Sequence, residues 1–183
     1  MIKYLTHRYG QKVLLSETGD LQMRNAIRKW DLVGLEMVPL KVATYNMHGF
    51  RQGNMQLQEL CKVYDIVYIQ EHWLAPYNLH DVQAACPGML CLMSSAMTDV
   101  VSKEVLKGRP FGGVGILLNN KLATDARLKF ARERYVIVQL HDLVFINVYL
   151  PCASVDNWHD ELLCCLAAVC NDLTVTQIVW SWL

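Results

Sequence analysis

Three short stretches of this sequence end in side chains suited to holding a metal ion and a phosphate. A β-rich run at residues 38–45 ends in Asn46-Met47-His48-Gly49, and another at 65–70 delivers Glu71-His72. A third, at 143–150, carries Asn147-Val148-Tyr149-Leu150-Pro151. If these runs are strands of a parallel or mixed sheet, an amide, a carboxylate and a phenol emerge at C-terminal strand edges, the usual place for a site in an open α/β sheet. A lone carboxylate there suits Mg²⁺, a hard cation that keeps several waters and takes one or two carboxylates plus substrate phosphate. Each residue also has an ordinary reading: Asn46 as a turn residue, Glu71 as a solvated strand end, Tyr149 as a core aromatic. The joint pattern is what sets them apart.

Other chemistry finds little support. Gly112-Gly113-Val114-Gly115 is followed by no Gly-Lys-Ser/Thr and enters a strand, so it reads as a bulge or close strand packing rather than a phosphate loop. There is no Gly-x-Ser-x-Gly elbow and no His-Glu-x-x-His motif. The pairs His80-Asp81, His141-Asp142 and His159-Asp160 are too loose to define a metal-hydrolase site. The seven cysteines, at 61, 86, 91, 152, 164, 165 and 170, contain no Cys-x-x-Cys, and they read as reduced core thiols rather than a zinc or disulfide framework.

The elements that must position these residues follow from periodicity. Residues 55–64 read as a helix, with Leu57, Leu60, Cys61 and Tyr64 on one face. Residues 89–94, 113–118, 135–140 and 143–150 read as strands, the last two joined by a tight turn at His141-Asp142. Ser154 caps a predicted helix through 173, and 174–182 reads as a final strand. Residues 1–37 show no clean pattern beyond a modest helix around 23–30 and are taken as an appendage, with 38–183 as the domain. The order is mixed α/β, with strands outnumbering helices.

Composition limits the remaining classes. A hydrophobic content of 53% with 19% charged residues argues against disorder, and 183 residues suit one domain with a real core. The longest apolar stretch, 162–170, is nine residues, against the roughly 20 a membrane-crossing helix needs. No apolar block follows the N-terminal basic residues, so a soluble intracellular protein, cytoplasmic or nuclear, is expected. A net charge of zero hides a split. Residues 101–134 carry eight basic side chains against three acidic ones, while no basic residue follows Pro151. Such a basic stretch is either a phosphate-binding face or a solvated loop surface.

Taken together, Val42-Ala43-Thr44-Tyr45-Asn46-Met47-His48-Gly49, Ile69-Gln70-Glu71-His72-Trp73-Leu74 and Asn147-Val148-Tyr149-Leu150-Pro151 resemble the endonuclease/exonuclease/phosphatase superfamily. The resemblance is greatest to the endonuclease domains of non-LTR retrotransposon polyproteins, where a Gly-Arg-Pro-Phe-Gly-Gly-Val-Gly run like that at 108–115 also occurs, and it covers residues 41–179. It implies a four-layer α/β sandwich of two mixed sheets with helices outside, and Mg²⁺- or Mn²⁺-dependent phosphoester hydrolysis. It assigns Glu71 to metal binding, Asn46 to positioning near the metal and scissile phosphate, and Tyr149 to a phosphate or active-site contact. Some members carry a carboxylate where this chain has His48, which speaks against a direct metal role for that residue. Within the basic stretch, Arg127, Lys129, Arg132 and Arg134 become candidate DNA-backbone contacts by position.

The same resemblance implies two later motifs, a Gly-Asp-x-Asn strand end after Val179 and a Ser-Asp-His. The sequence instead reads Trp180-Ser181-Trp182-Leu183, and neither motif is present. General acid–base help is worth roughly 10²–10⁴ in rate, and groups that act as a unit fail together. These residues alone are therefore expected to form a truncated, retroelement-derived domain with negligible nuclease activity. Much of the second sheet is expected to be missing, leaving an apolar face that invites a partner chain or self-association. The alternative is a non-catalytic nucleic-acid-binding or interaction module built on residues 103–134.

Overall fold

The computed structural model describes residues 2–4, 14–15, 40–98, 101, 109–141, 143–149, 167 and 177–182. Two sheets face each other. The first has the order β2-β1-β3-β4-β6-β5, from β1 (Ile2–Tyr4), β2 (Leu14–Leu15), β3 (Lys41–Asn46), β4 (Ile66–Gln70), β5 (Met89–Ser94) and β6 (Val114–Asn119). The second has the order β10-β9-β8-β7, from β7 (Ala126–Arg132), β8 (Tyr135–Leu140), β9 (Leu143–Val148) and β10 (Gln177–Trp182). Both sheets are mixed. β3 and β4 run parallel, as do β9 and β10, and the remaining pairs are antiparallel.

The parallel β3–β4 pair requires a crossover, supplied by α1 (Phe50–Val63). This helix starts five residues before the expected 55–64, because Gly53 is not a break. A Cβ at Gly53 would sit 2.9 Å from the Met47 carbonyl and 3.0 Å from the Tyr45 hydroxyl, so the glycine lets the helix lie directly on β3. The expected stripe holds: Leu57 is fully buried, and Leu60, Cys61 and Tyr64 pack against the same core, with Met55 facing outward. A second helix, α2 (His80–Ala85), adds Val82 to this layer.

All five residues of β4 are buried, because it lies between two cores. Val67 and Ile69 face the helices, whereas Ile66 and Tyr68 face the second sheet. There they meet Val136, Val138, Leu140 and Phe145, and each such burial contributes about 1.5–3 kcal/mol. The strands β7 to β10 form a second sheet that packs on this inner face, more of the sheet than expected from the sequence. With one helix layer over the first sheet, three layers of the expected sandwich lie within the described residues. The predicted helices at 154–173 and around 23–30 fall outside them, apart from Ala167, which is helical.

Two further differences concern strands that periodicity hid. β1 and β2, from the segment read as patternless, extend the first sheet through Ile2↔Val42 pairing. β7 lies in the stretch read as a basic loop, after the short helix α3 (Asn120–Ala123). It is an edge strand with Arg127, Leu128 and Lys129 exposed and a register shift between Leu128 and Phe130. Charges and bulges of this kind protect sheet edges from pairing, and they erase apolar alternation. The β8–β9 hairpin and the 89–94 strand occur where expected, the hairpin turning at His141 with φ 52°. Cys61, Cys86 and Cys91 are free thiols packed in the helix-side core. No helix among the described residues is long and apolar enough to cross a membrane.

Candidate active site

The parallel register of β3 and β4 sets Asn46 opposite Gln70, one residue before Glu71. Asn46 Nδ2 donates to Glu71 Oε1 at 3.1 Å, while the His48 backbone N–H donates to Asn46 Oδ1 at 3.1 Å and fixes the amide's orientation. His48 Nδ1 lies 3.4 Å from Glu71 Oε2. The Tyr149 hydroxyl, delivered by the end of β9 in the facing sheet, donates to the same carboxylate. The amide, the acid and the phenol singled out in the sequence therefore meet at one point, on the common edge of both sheets.

The charge on Glu71 follows from these contacts. Burial on its own would push its carboxyl upward; the hydrogen bonds from Asn46 and Tyr149, with the His48 ring, outweigh that and hold it below its ordinary value. The result is an ionised carboxylate, mostly shielded, with donors on both oxygens.

Tyr149 reaches this point because Asn147, two residues earlier, joins the sheets. Asn147 is fully buried, and its Nδ2 donates to the Ile69 and Gly115 carbonyls at 2.8 Å each. Its Oδ1 accepts from Gln70 Nε2 at 2.6 Å, and Gln70 also donates to Thr44 Oγ1 at 3.2 Å. Buried polar groups are tolerable only when satisfied, and a satisfied network fixes the sheets rigidly just below the site.

The backbone leaving β4 is unusual. Glu71 and Trp73 adopt left-handed φ values of 52° and 53°, at a cost of about 1–3 kcal/mol each. Three backbone bonds hold them: Gly49 N–H to the Glu71 carbonyl at 2.8 Å, Phe50 N–H to the His72 carbonyl at 2.8 Å, and Trp73 N–H to the Gly112 carbonyl at 3.0 Å. Between them His72 is fully buried. Its Nδ1 accepts from Leu74 N–H at 3.0 Å, so its Nε2 carries the proton and donates to the Ser94 carbonyl at 3.0 Å. The Gly112-Gly113 pair, read from sequence as close packing, is what admits this ring, since a Cβ at Gly113 would lie 2.3 Å from it.

Burial lowers the His72 pKa from 6.5 to about 4, so the ring is neutral in the folded protein at neutral pH. The unfolded chain takes up this proton below 6.5 and the native state does not until about 4. Stability is therefore complete above the upper value and falls with pH across this window, by on the order of 3 kcal/mol. Urea unfolding of the wild type and His72→Gln between pH 7 and pH 4 isolates the effect: the variant's curve should be flatter, and parallel curves would contradict the assignment.

Beside Glu71 lies a cleft of about 440 Å³ whose walls include Trp73, Arg109, Phe111, Glu133, Arg134 and Tyr149. Of the four candidate backbone contacts, Arg134 lines this cleft, whereas Arg127, Lys129 and Arg132 lie along β7 outside it. Trp73, Arg109, Phe111 and Glu133 were not singled out from sequence. The first sits two residues beyond the acid, and Arg109 and Phe111 belong to the glycine-rich run, so proximity to those motifs was their only signal. The donor set fits a divalent ion that retains most of its water. Glu71 supplies one ionised carboxylate, and no group of three or more His, Cys, Asp or Glu residues arranged for a metal occurs among the described residues.

Solved structures share this architecture. A 3′ phosphatase, NExo, from Neisseria bound to product DNA hairpin matches with a TM-score of 0.57 and 16% identity, covering 78% of this chain and 56% of that one. An AP endonuclease from Archaeoglobus fulgidus gives 0.54 and 20%, covering 78% and 56%. The 3′-5′ exonuclease NExo from Neisseria meningitidis gives 0.53 and 16%, covering 78% and 57%. The shared fold is an endonuclease/exonuclease/phosphatase-like α/β sandwich. At such low identity the likeness is one of fold, and the chain spans 56–57% of the length of these proteins. No family model and no curated protein matches the sequence.

Proposed function

We infer that this chain carries the metal- and phosphate-binding part of a nuclease-type site. The observation behind this reading is the ionised Glu71 carboxylate gripped by Asn46 and Tyr149 at the shared sheet edge. In it Glu71 would hold a Mg²⁺ or Mn²⁺ ion through its carboxylate, Asn46 orients that carboxylate and faces the phosphate, and Tyr149 is an active-site contact whose phenol proton holds the carboxylate in place. A bound ion supplies Lewis-acid neutralisation of phosphate charge. Asn46, through its second amide hydrogen, and Arg134 would orient the phosphate oxygens by donating hydrogen bonds.

Residues 1–183 alone are proposed to bind DNA without cutting it appreciably, because no Gly-Asp-x-Asn or Ser-Asp-His occurs among them. Kinship to retrotransposon endonucleases is part of the same proposal, supported by the order of the three motifs and the run at 108–115. Purified protein incubated with supercoiled plasmid and Mg²⁺ is expected to show no more than trace nicking. Robust Mg²⁺-dependent nicking, abolished by Glu71→Ala, would overturn the inactivity.

A second reading rests on the exposed Arg127, Lys129 and Arg132 of β7, which lie off the cleft. If these carry the interaction, DNA retention falls steeply with salt, survives Glu71→Ala, and is lost when the three are neutralised.

A further inference from the structure

We propose that Cys61 and Cys86 form a redox modification site, a thiol pair that hydrogen peroxide converts into a disulfide stapling the end of α1 to the end of α2. It stands apart from the metal and phosphate reading. The pair lies in the helix layer, outside the cleft. Cys61 is about 16 Å along α1 from Phe50, whose N–H holds the His72 carbonyl beside the acid.

Three cysteines converge in the core between the helices and the first sheet. Cys86 is buried in it, and Cys61 and Cys91 pack against the same cluster while partly exposed. The Cys61 thiol donates to the Cys86 sulfur. Cys91 is held elsewhere: its N–H donates to Gln83 Oε1 at 3.1 Å, and its thiol faces the Met89 carbonyl at 4.0 Å. The three are not arranged to hold a metal ion. Both members of the pair stand at helix ends, where backbone can give. Cys61 is in the last turn of α1, and Cys86 is the residue that caps α2. The turn at Pro87-Gly88 follows, and nothing lies within 4 Å of the missing Gly88 Cβ. A disulfide draws its sulfurs to about 2 Å, and this turn is where the chain has room to move.

Cys86 is the sulfur that reacts first. The hydrogen bond from Cys61 holds its thiol below the ordinary 9.0 against the opposing effect of burial. The same bond, with burial, pushes the Cys61 thiol up, and burial pushes Cys91 up to about 12. Peroxide enters from the partly exposed Cys61 side. The Cys86 thiolate attacks one peroxide oxygen, the O–O bond breaks, and hydroxide leaves with Cys86 as a sulfenic acid. The Cys61 sulfur then attacks the Cys86 sulfur, the S–O bond breaks, and the departing hydroxide takes the Cys61 proton as water. Two thiols give up two electrons, and one peroxide becomes two waters. The loop closed by the new bond contains β4 and Glu71, so the staple restricts the segment that carries the acid when the chain unfolds.

The test treats the full chain with hydrogen peroxide, maps disulfides by mass spectrometry of unreduced peptides, and compares urea unfolding of oxidised and dithiothreitol-reduced protein. A Cys61–Cys86 linked peptide is expected in wild type and in Cys91→Ser. Oxidation should lower the unfolding equilibrium constant by about 30- to 900-fold, the range typical of a protein disulfide, and dithiothreitol should reverse it. Cys61→Ala should show neither the link nor the gain. Cys61 and Cys86 left as free thiols, or Cys86 joined to Cys91 or to any other cysteine, overturns the pair. A Cys61–Cys86 link that leaves the unfolding midpoint unchanged or lower overturns the staple.

Discussion

Glu71→Gln should weaken Mn²⁺ binding by more than about 100-fold, since even residues that merely orient a metal ligand are worth 10- to 100-fold in affinity. The substitution keeps the size of the side chain and removes its charge, leaving the Asn46 amide and the Tyr149 hydroxyl aimed at a neutral group. Asn46→Ala, which removes an orienting partner, should fall within that 10- to 100-fold range. Titration followed by the electron paramagnetic resonance of free Mn²⁺ measures both. The pH profile has a fixed sign. With its carboxyl held below the ordinary 4.5, Glu71 stays ionised as pH falls through that value, and cation binding disappears only at lower pH. Its contribution to stability follows the same course: present above 4.5 and lost as pH falls through the folded value. Equal Mn²⁺ affinity in wild type and Glu71→Gln would contradict the assignment.

The second large effect is on stability. Gly113→Ala places a Cβ 2.3 Å from the His72 ring at a backbone φ of 87°. Left-handed backbone costs a non-glycine residue about 1–2 kcal/mol, and overpacking a core adds about 1–3 kcal/mol. Displacing His72 also loosens its bonds to Leu74 and Ser94, each worth about 1 kcal/mol. The sum, about 4–7 kcal/mol, approaches the whole stability of many domains. Gly88→Ala is the control, since nothing lies within 4 Å of its missing Cβ. Urea unfolding should show a near-neutral change there and severe destabilisation or failure to fold at Gly113. Similar small effects at both positions would mean that His72 is not pressed against Gly113.

The strands of both sheets were largely legible because their runs are dominated by apolar residues: 65–70, 89–94, 135–140 and 143–150 each contain the observed strand. What escaped was structure whose sequence signal is cancelled by its place in the fold. β7 carries Arg127 and Lys129 on an exposed edge, and so lacked alternation. α1 begins at Phe50 because Gly53 marks close approach to Met47 rather than a helix end. β1 has only three residues and is defined by its pairing with β3. The site was legible as separate strand ends, but their convergence required topology. Asn46 and Glu71 are 25 residues apart, and parallel pairing brings them together. Tyr149 joins them because Asn147 ties its strand to the first sheet through Gln70. His72 looked like an ordinary neighbour of the acid, since nothing in sequence marks a histidine as buried.

Substoichiometric Mn²⁺ added to isotope-labelled protein, with amide signals read by NMR, tests the site directly, since a bound paramagnetic ion broadens nearby resonances. Selective loss of the signals of Asn46 to Gly49, Glu71 to Trp73 and Tyr149, reversed by excess Mg²⁺, is the predicted result. Broadening spread evenly over surface carboxylates such as Glu59 and Asp81, with those three segments unaffected, would contradict it.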